Sequence, residues 1–107
     1  MDNNKRLEES KLFTPYKLGN VTLRNRVIRS AAFESMGKDF SPTQALKEYH
    51  VSVAKGGVGM TTVAYASINR SGISFNKQLW LRDEIVPALR VLTAAVHKEG
   101  AAVGVAL

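Results

Sequence analysis

The order of elements in this chain predicts an α/β fold: a β-hairpin, then β, α, β, α, β. Alternating strands and helices imply a parallel sheet with right-handed crossovers. A doubly wound sheet satisfies that order. So does the N-terminal portion of a (β/α)8 TIM barrel, built from the hairpin and about three β/α units. Two observations favour the barrel. The glycine turns, Gly56-Gly57 and Gly100, precede strands and do not follow the first strand, where a dinucleotide fingerprint would stand. The long irregular segment follows a strand, where a barrel places its active-site loops.

Residues 1–11 read as a flexible polar leader and residues 12–107 as the folded part. Tyr16 to Leu23 alternates around Gly19-Asn20, a pair suited to the positive φ of a tight hairpin. The first main strand is expected over residues 26–32, its Val27-Ile28 pair suiting a buried parallel strand. It runs out on Ser30-Ala31-Ala32, with no bulky side chain until Phe33, so a flat ligand can lie close to the backbone there. Ser41-Pro42-Thr43-Gln44 predicts a helix start with Ser41 as N-cap, proline at the first helical position and Gln three residues after the cap. Leu46, Tyr49 and Val53 form its expected buried stripe, and Gly56-Gly57 stops it. Val58 to Tyr65 reads as the second strand. Ala66 to Arg82, 17 residues, is longer than a plain connection needs, which makes it a functional suspect. Pro87 belongs in a first helical turn, so the second helix begins near Asp83–Val86, with Leu89, Leu92 and Val96 inward and Gly100 as its stop. Ala101 to Leu107 is the third strand.

The chain of 107 residues suffices for one small domain with a modest core. It holds no apolar run of about 18 residues, and its polar N-terminus lacks a signal core, so a cytoplasmic location is expected. With no cysteine, disulfides and Cys-based metal sites are excluded. The net charge of +6 is uneven: residues 1–29 carry seven Lys/Arg against three acids, the rest eight against six. A basic third suits nucleic acid or a phosphorylated ligand. No aromatic interleaving or RNA-binding signature accompanies it, so Lys5, Arg6, Lys11 and Lys17 read as a solvated face. The partner expected is a small molecule, with neither nucleic acid nor membrane. No GxGxxG, Walker loop, Ser/His/Asp set or zincin motif occurs. His50 and His97 fall on helices without metal-ligand spacing and read as packing or surface residues. Glu34 and Asp39 read as solvated loop acids, and Trp80 as a buried anchor of the long loop.

Leu12-Phe13-Thr14-Pro15, Leu18-Gly19-Asn20 and Leu23-Arg24-Asn25-Arg26-Val27 form an ordered series of short motifs. That series resembles the start of the Old Yellow Enzyme family of FMN-dependent oxidoreductases, and the likeness continues more loosely to Leu107. The resemblance implies a hairpin covering the bottom of a barrel, FMN as cofactor and NAD(P)H as reductant. It also implies hydride transfer from reduced flavin to an activated alkene or similar acceptor. In such proteins the end of the first strand lies along the isoalloxazine ring, which makes Ser30, Ala31 and Ala32 cofactor-binding candidates. The bland alternative is an ordinary strand end whose small residues allow close packing. Relatives often carry Pro at the Ala31 position and Thr or Cys close by; this chain has Ala31 and Phe33 there. The family places a small residue and its backbone amide at the end of the second strand, which here means Ala64 and Tyr65. Tyr65 is bulkier than usual and reads equally well as a core aromatic.

The family's Gly-x-Gln-Leu aligns with Gly104 to Leu107, where Ala106 replaces the Gln. No catalytic residue is expected within the chain, because the substrate-carbonyl donors, proton-donating Tyr, flavin-side Arg and phosphate loops would lie past Leu107. A barrel needs about 250 residues. The expectation is therefore an N-terminal part, truncated after strand 3 and inactive alone. The rival function is a non-catalytic product or interaction module that self-associates through its exposed sheet edges.

Overall fold

The computed structural model describes residues 9–107. Most of the expected polar leader therefore lies outside the described residues; its last part is not loose, because Ser10 caps a 3₁₀ turn over Lys11–Phe13. Strands β1 (Tyr16–Leu18) and β2 (Val21–Leu23) pair antiparallel, Tyr16 opposite Leu23. Gly19 takes φ +60° at the turn, and Asn20 does not share the positive φ, so a single glycine suffices to reverse the chain.

The central sheet is parallel in the order β3 (Ile28–Arg29), β4 (Met60–Val63), β7 (Ala102–Val105). Helices α1 (Gln44–Lys55) and α2 (Val86–Lys98) cover one face of it. Thr61 meets His50 of α1 on that face, and Val63 and Val103 pack with Leu46, Leu92 and Val96. Both helices lie on one face, as right-handed crossovers between strands taken in the order 1-2-3 require. Ile28, Met60, Thr62 and Gly104 point to the opposite face, where Ile28 is 47% exposed. Gly104 leaves room there for Met60, whose Cε would stand 2.7 Å from an added Cβ.

Several boundaries differ from those expected. Helix α1 is capped by Thr43, not Ser41: the Thr43 hydroxyl accepts from the Leu46 N–H at 3.1 Å. Ser41 instead exchanges backbone hydrogen bonds with Lys38, and the following Pro42 disfavours a helical conformation at Ser41. The buried row of α1 is Leu46, His50 and Ala54, so Tyr49 and Val53 flank it rather than form it. The shift follows from His50, which is drawn inward by polar partners. Leu92 and Val96 of α2 are buried as expected, and Ile85 is buried in the 3₁₀ turn before it. The long connection is not structureless: β5 (Ala66–Ser67) and β6 (Leu79–Trp80) pair parallel within it. Its buried anchor is Leu79; Trp80 is half-buried beneath the Arg82 guanidinium, 4.8 Å from its ring centre.

One arginine fastens the amino end of this assembly. Arg24 donates to the carbonyls of Ala54 (2.6 Å), Glu99 (2.7 Å) and Val58 (3.0 Å), satisfying acceptors at the C-terminal ends of both helices. Asn25 donates to the Gly57 carbonyl at 2.6 Å, and Arg26 lies over the Tyr16 ring. The Leu23–Val27 motif thus ties hairpin, helix ends and sheet together.

Candidate functional site

The first main strand ends much sooner than residue 32. Pairing with β4 stops at Arg29, and Ser30, Ala31 and Ala32 continue unpaired as an exposed to half-buried segment at the carboxyl end of the sheet. The cause lies in two side chains. The Val63 carbonyl faces β7, where Ala106 N–H donates to it. The alternate groups of β4, Thr62 C=O and Ala64 N–H, face the β3 side. A longer β3 would pair them. Instead Arg29 Nη1 donates to the Thr62 carbonyl at 2.9 Å, and Glu34 Oε1 accepts from the Ala64 N–H at 3.0 Å.

Glu34 is the correction to the reading from sequence. It is no solvated loop acid: its side chain is 1% exposed, paired with Arg29 and 2.8 Å from His50 Nε2. His50 Nε2 approaches that oxygen closely but off the alignment of a hydrogen bond. His50 is fully buried, with Nδ1 2.7 Å from Thr61 Oγ1. Arg29 also donates to the Tyr49 hydroxyl at 3.1 Å and lies over its ring. Burial alone would push the Glu34 carboxyl up; His50, the Ala64 N–H and Arg29 together outweigh it and hold it below the ordinary glutamate range. The sequence carried a signal for this cluster: an arginine inside a strand, an acid five residues on, and a histidine on the i, i+4 row between Leu46 and Ala54.

Ala64 is 4% exposed and closes the end of β4, joined to Tyr65 by a cis peptide bond. The Ala64 N–H is taken by Glu34, so that amide is not free at this end. Tyr65 lines a cavity of about 400 Å³ together with Ser67, Ile68, Phe75, Gln78 and Leu107. Phe75 packs at a tilt against Phe33, centroids 4.9 Å apart, linking the segment after β3 to the long connection. Ser30–Ala32, Ala64, Tyr65 and the long connection thus gather at the carboxyl end of the parallel strands. Asp39 is exposed, as expected of a loop acid, and His97 is exposed on α2. Among the described residues no group of His, Asp or Glu is placed to hold a metal ion, and no helix is long and apolar enough to cross a membrane.

A family model described as NADH:flavin oxidoreductase / NADH oxidase matches residues 11–107. The chain belongs to that family. FMN, with NAD(P)H as reductant, is the cofactor pairing that membership carries. A 4,4'-dithiodibutanoate disulfide reductase of Rhodococcus erythropolis is 41% identical over 90 residues, 84% of this chain and 22% of that protein. An NADPH dehydrogenase of Listeria monocytogenes is 37% identical over 102 residues, 92% of this chain and 30% of that protein. The chain therefore spans under a third of the length of these relatives. An Old Yellow Enzyme from a Pichia species superposes with a TM-score of 0.84 at 21% identity, covering 92% of this chain and 26% of that one. That likeness concerns fold: the α/β unit corresponds to a fraction of an Old Yellow Enzyme barrel. Leu23–Val27 occupies the end of the sheet opposite the candidate site, where Arg24 and Asn25 hold helix ends and turns.

Proposed function

We propose that residues 12–107 form the N-terminal part of an FMN-binding TIM-barrel domain, with the hairpin at its bottom and β3, β4 and β7 as its first three barrel strands. In this reading the chain supplies the ring side of the flavin seat: Ser30, Ala31 and Ala32 on one strand end, Ala64 and Tyr65 on the next. The observation that carries it is the pair of adjacent parallel strand ends bearing only hydroxymethyl and methyl side chains until Tyr65, with the backbone of Ser30–Ala32 outside the ladder. A flat ring fits such a surface, because no side chain there rises far above the backbone. The chemistry FMN supplies when bound is hydride acceptance from NAD(P)H and hydride donation to an activated alkene or similar small-molecule acceptor. This chain's residues would bind and orient the ring and shield one side of it from water. No catalytic residue is assigned among them, and the 107 residues alone are inactive. The test is exchange of the seat itself. In a chain completed to eight strands, Ala32→Phe and Ala64→Leu should each abolish flavin retention on purification. Full flavin content in both would refute the seat.

A second reading rests on the uncovered apolar surface. Ile28 and Leu107 (72% exposed) stand on the side of the sheet and at the strand end that no helix covers. This surface suits self-association of the isolated chain through its sheet edges. A monomeric elution volume at high concentration would exclude it.

A further inference from the structure

The proposed seat depends on β3 leaving the ladder early, and the structure shows what makes that departure affordable. Two polar groups of β4, Thr62 C=O and Ala64 N–H, would be orphaned at the sheet edge, and unpaired backbone groups in a buried position are costly. Arg29 and Glu34 supply those partners from side chains. Glu34 does so as a buried charge, which is tolerated only when fully partnered. Its partners come from every packed element: Arg29 from β3, His50 from α1 and the Ala64 N–H from β4, with Tyr49 of α1 holding Arg29 in turn.

We propose that Glu34, gripped by Arg29 and His50, is the positioning residue of the flavin seat: its carboxylate replaces the missing ladder, fixes the end of β4, and so leaves the backbone of Ser30–Ala32 free for a ligand. This inference rests on the seat assigned above. It adds a residue that does not touch the ring and acts through Ala64. Were the ladder to continue, Ala31 N–H and C=O would be committed to the Thr62 carbonyl and the Ala64 N–H, and the backbone of Ser30–Ala32 would be held in the sheet.

The test is a titration of the ¹⁵N-labelled chain with FMN into the millimolar range, following backbone amides. In the native chain, shifts concentrate at Ala31, Ala32 and Tyr65. Glu34→Ala weakens them at least tenfold, while dispersed resonances of Leu92 and Val96 report an intact helix side and the Trp80 indole an intact long connection. Glu34→Gln keeps an oxygen for the Ala64 N–H and recovers most of the response. A second measurement needs no ligand. The Ala64 amide shift in the native chain follows a carboxylate titrating below the ordinary glutamate range, and Glu34→Gln abolishes that step. Should Glu34→Ala unfold the chain, this ligand-free comparison decides. Equal FMN shifts in native and Glu34→Ala chains overturn the positioning role and leave the seat standing. An Ala64 amide indifferent to acid overturns it as well. FMN shifts absent from both strand ends in the native chain remove the seat, and this inference with it.

Discussion

The Thr43 hydroxyl accepts the Leu46 N–H and donates to the Met36 carbonyl, so one side chain both starts α1 and ties it to the loop from β3. Thr43→Ala should therefore cost about 1 kcal/mol, as a lost N-cap does, while Ser41→Ala should leave the urea midpoint nearly unchanged. A larger loss at Ser41 would restore the cap to the position favoured by its Ser-Pro pair. The Ser-Pro-Thr-Gln run made the helix start legible; that Thr43 and not Ser41 is the cap depends on the conformation Pro42 imposes on Ser41. Glu34 gives a pH dependence of fixed sign. Its carboxyl is held below the ordinary glutamate range in the folded chain, so the unfolded chain binds the proton more readily. The stability it contributes is complete above the ordinary range and is lost as pH falls through the lowered value. Urea midpoints measured downward from neutral pH should fall in acid, and Glu34→Gln should flatten that fall. The strand arginine and the histidine on the inward row of α1 hinted at a buried acid, but Glu34 itself sits in a loop, and only the tertiary fold brings its partners from β3, α1 and the end of β4 together.

At the scale of elements, Arg24 is the fastening most exposed to test. One guanidinium serves carbonyls at the ends of α1 and α2 and before β4. Its charge-assisted bonds are discounted for solvent, since the residue is largely exposed. Arg24→Ala should still cost on the order of 2 kcal/mol. Arg24→Lys should not restore it, because an ammonium cannot reach three divergent acceptors with a planar fork. Recovery by lysine in a denaturant titration would show that charge, not geometry, matters there. The strand and helix order was legible because glycine stops and apolar runs are local signals. The length of β3 was not. Val27-Ile28 followed by small residues reads as one strand to residue 32, whereas Arg29 and Glu34 end the pairing by supplying its partners from side chains. The long connection was read as irregular because its two short strands pair across 11 intervening residues, Ile68 to Gln78, beyond any local pattern.

For the molecule as a whole, the proposed seat and the Leu23–Val27 segment occupy opposite ends of one sheet, and the chain covers about a quarter of the relatives it matches. Flavin held at its ring alone lacks the phosphate's charge-assisted hydrogen bonds, roughly 1.5–3 kcal/mol each. Losing several of them weakens binding by several orders of magnitude. The most direct measurement is the visible absorbance of the purified 107-residue chain, followed by NAD(P)H oxidation with added FMN. The expected result is a colourless protein with no oxidation above the free-flavin background, and both colour and oxidation appear when the barrel is completed to eight strands. A 107-residue protein that purifies yellow with stoichiometric FMN would contradict it, and would mean that these residues, or an assembly of them, hold the whole cofactor.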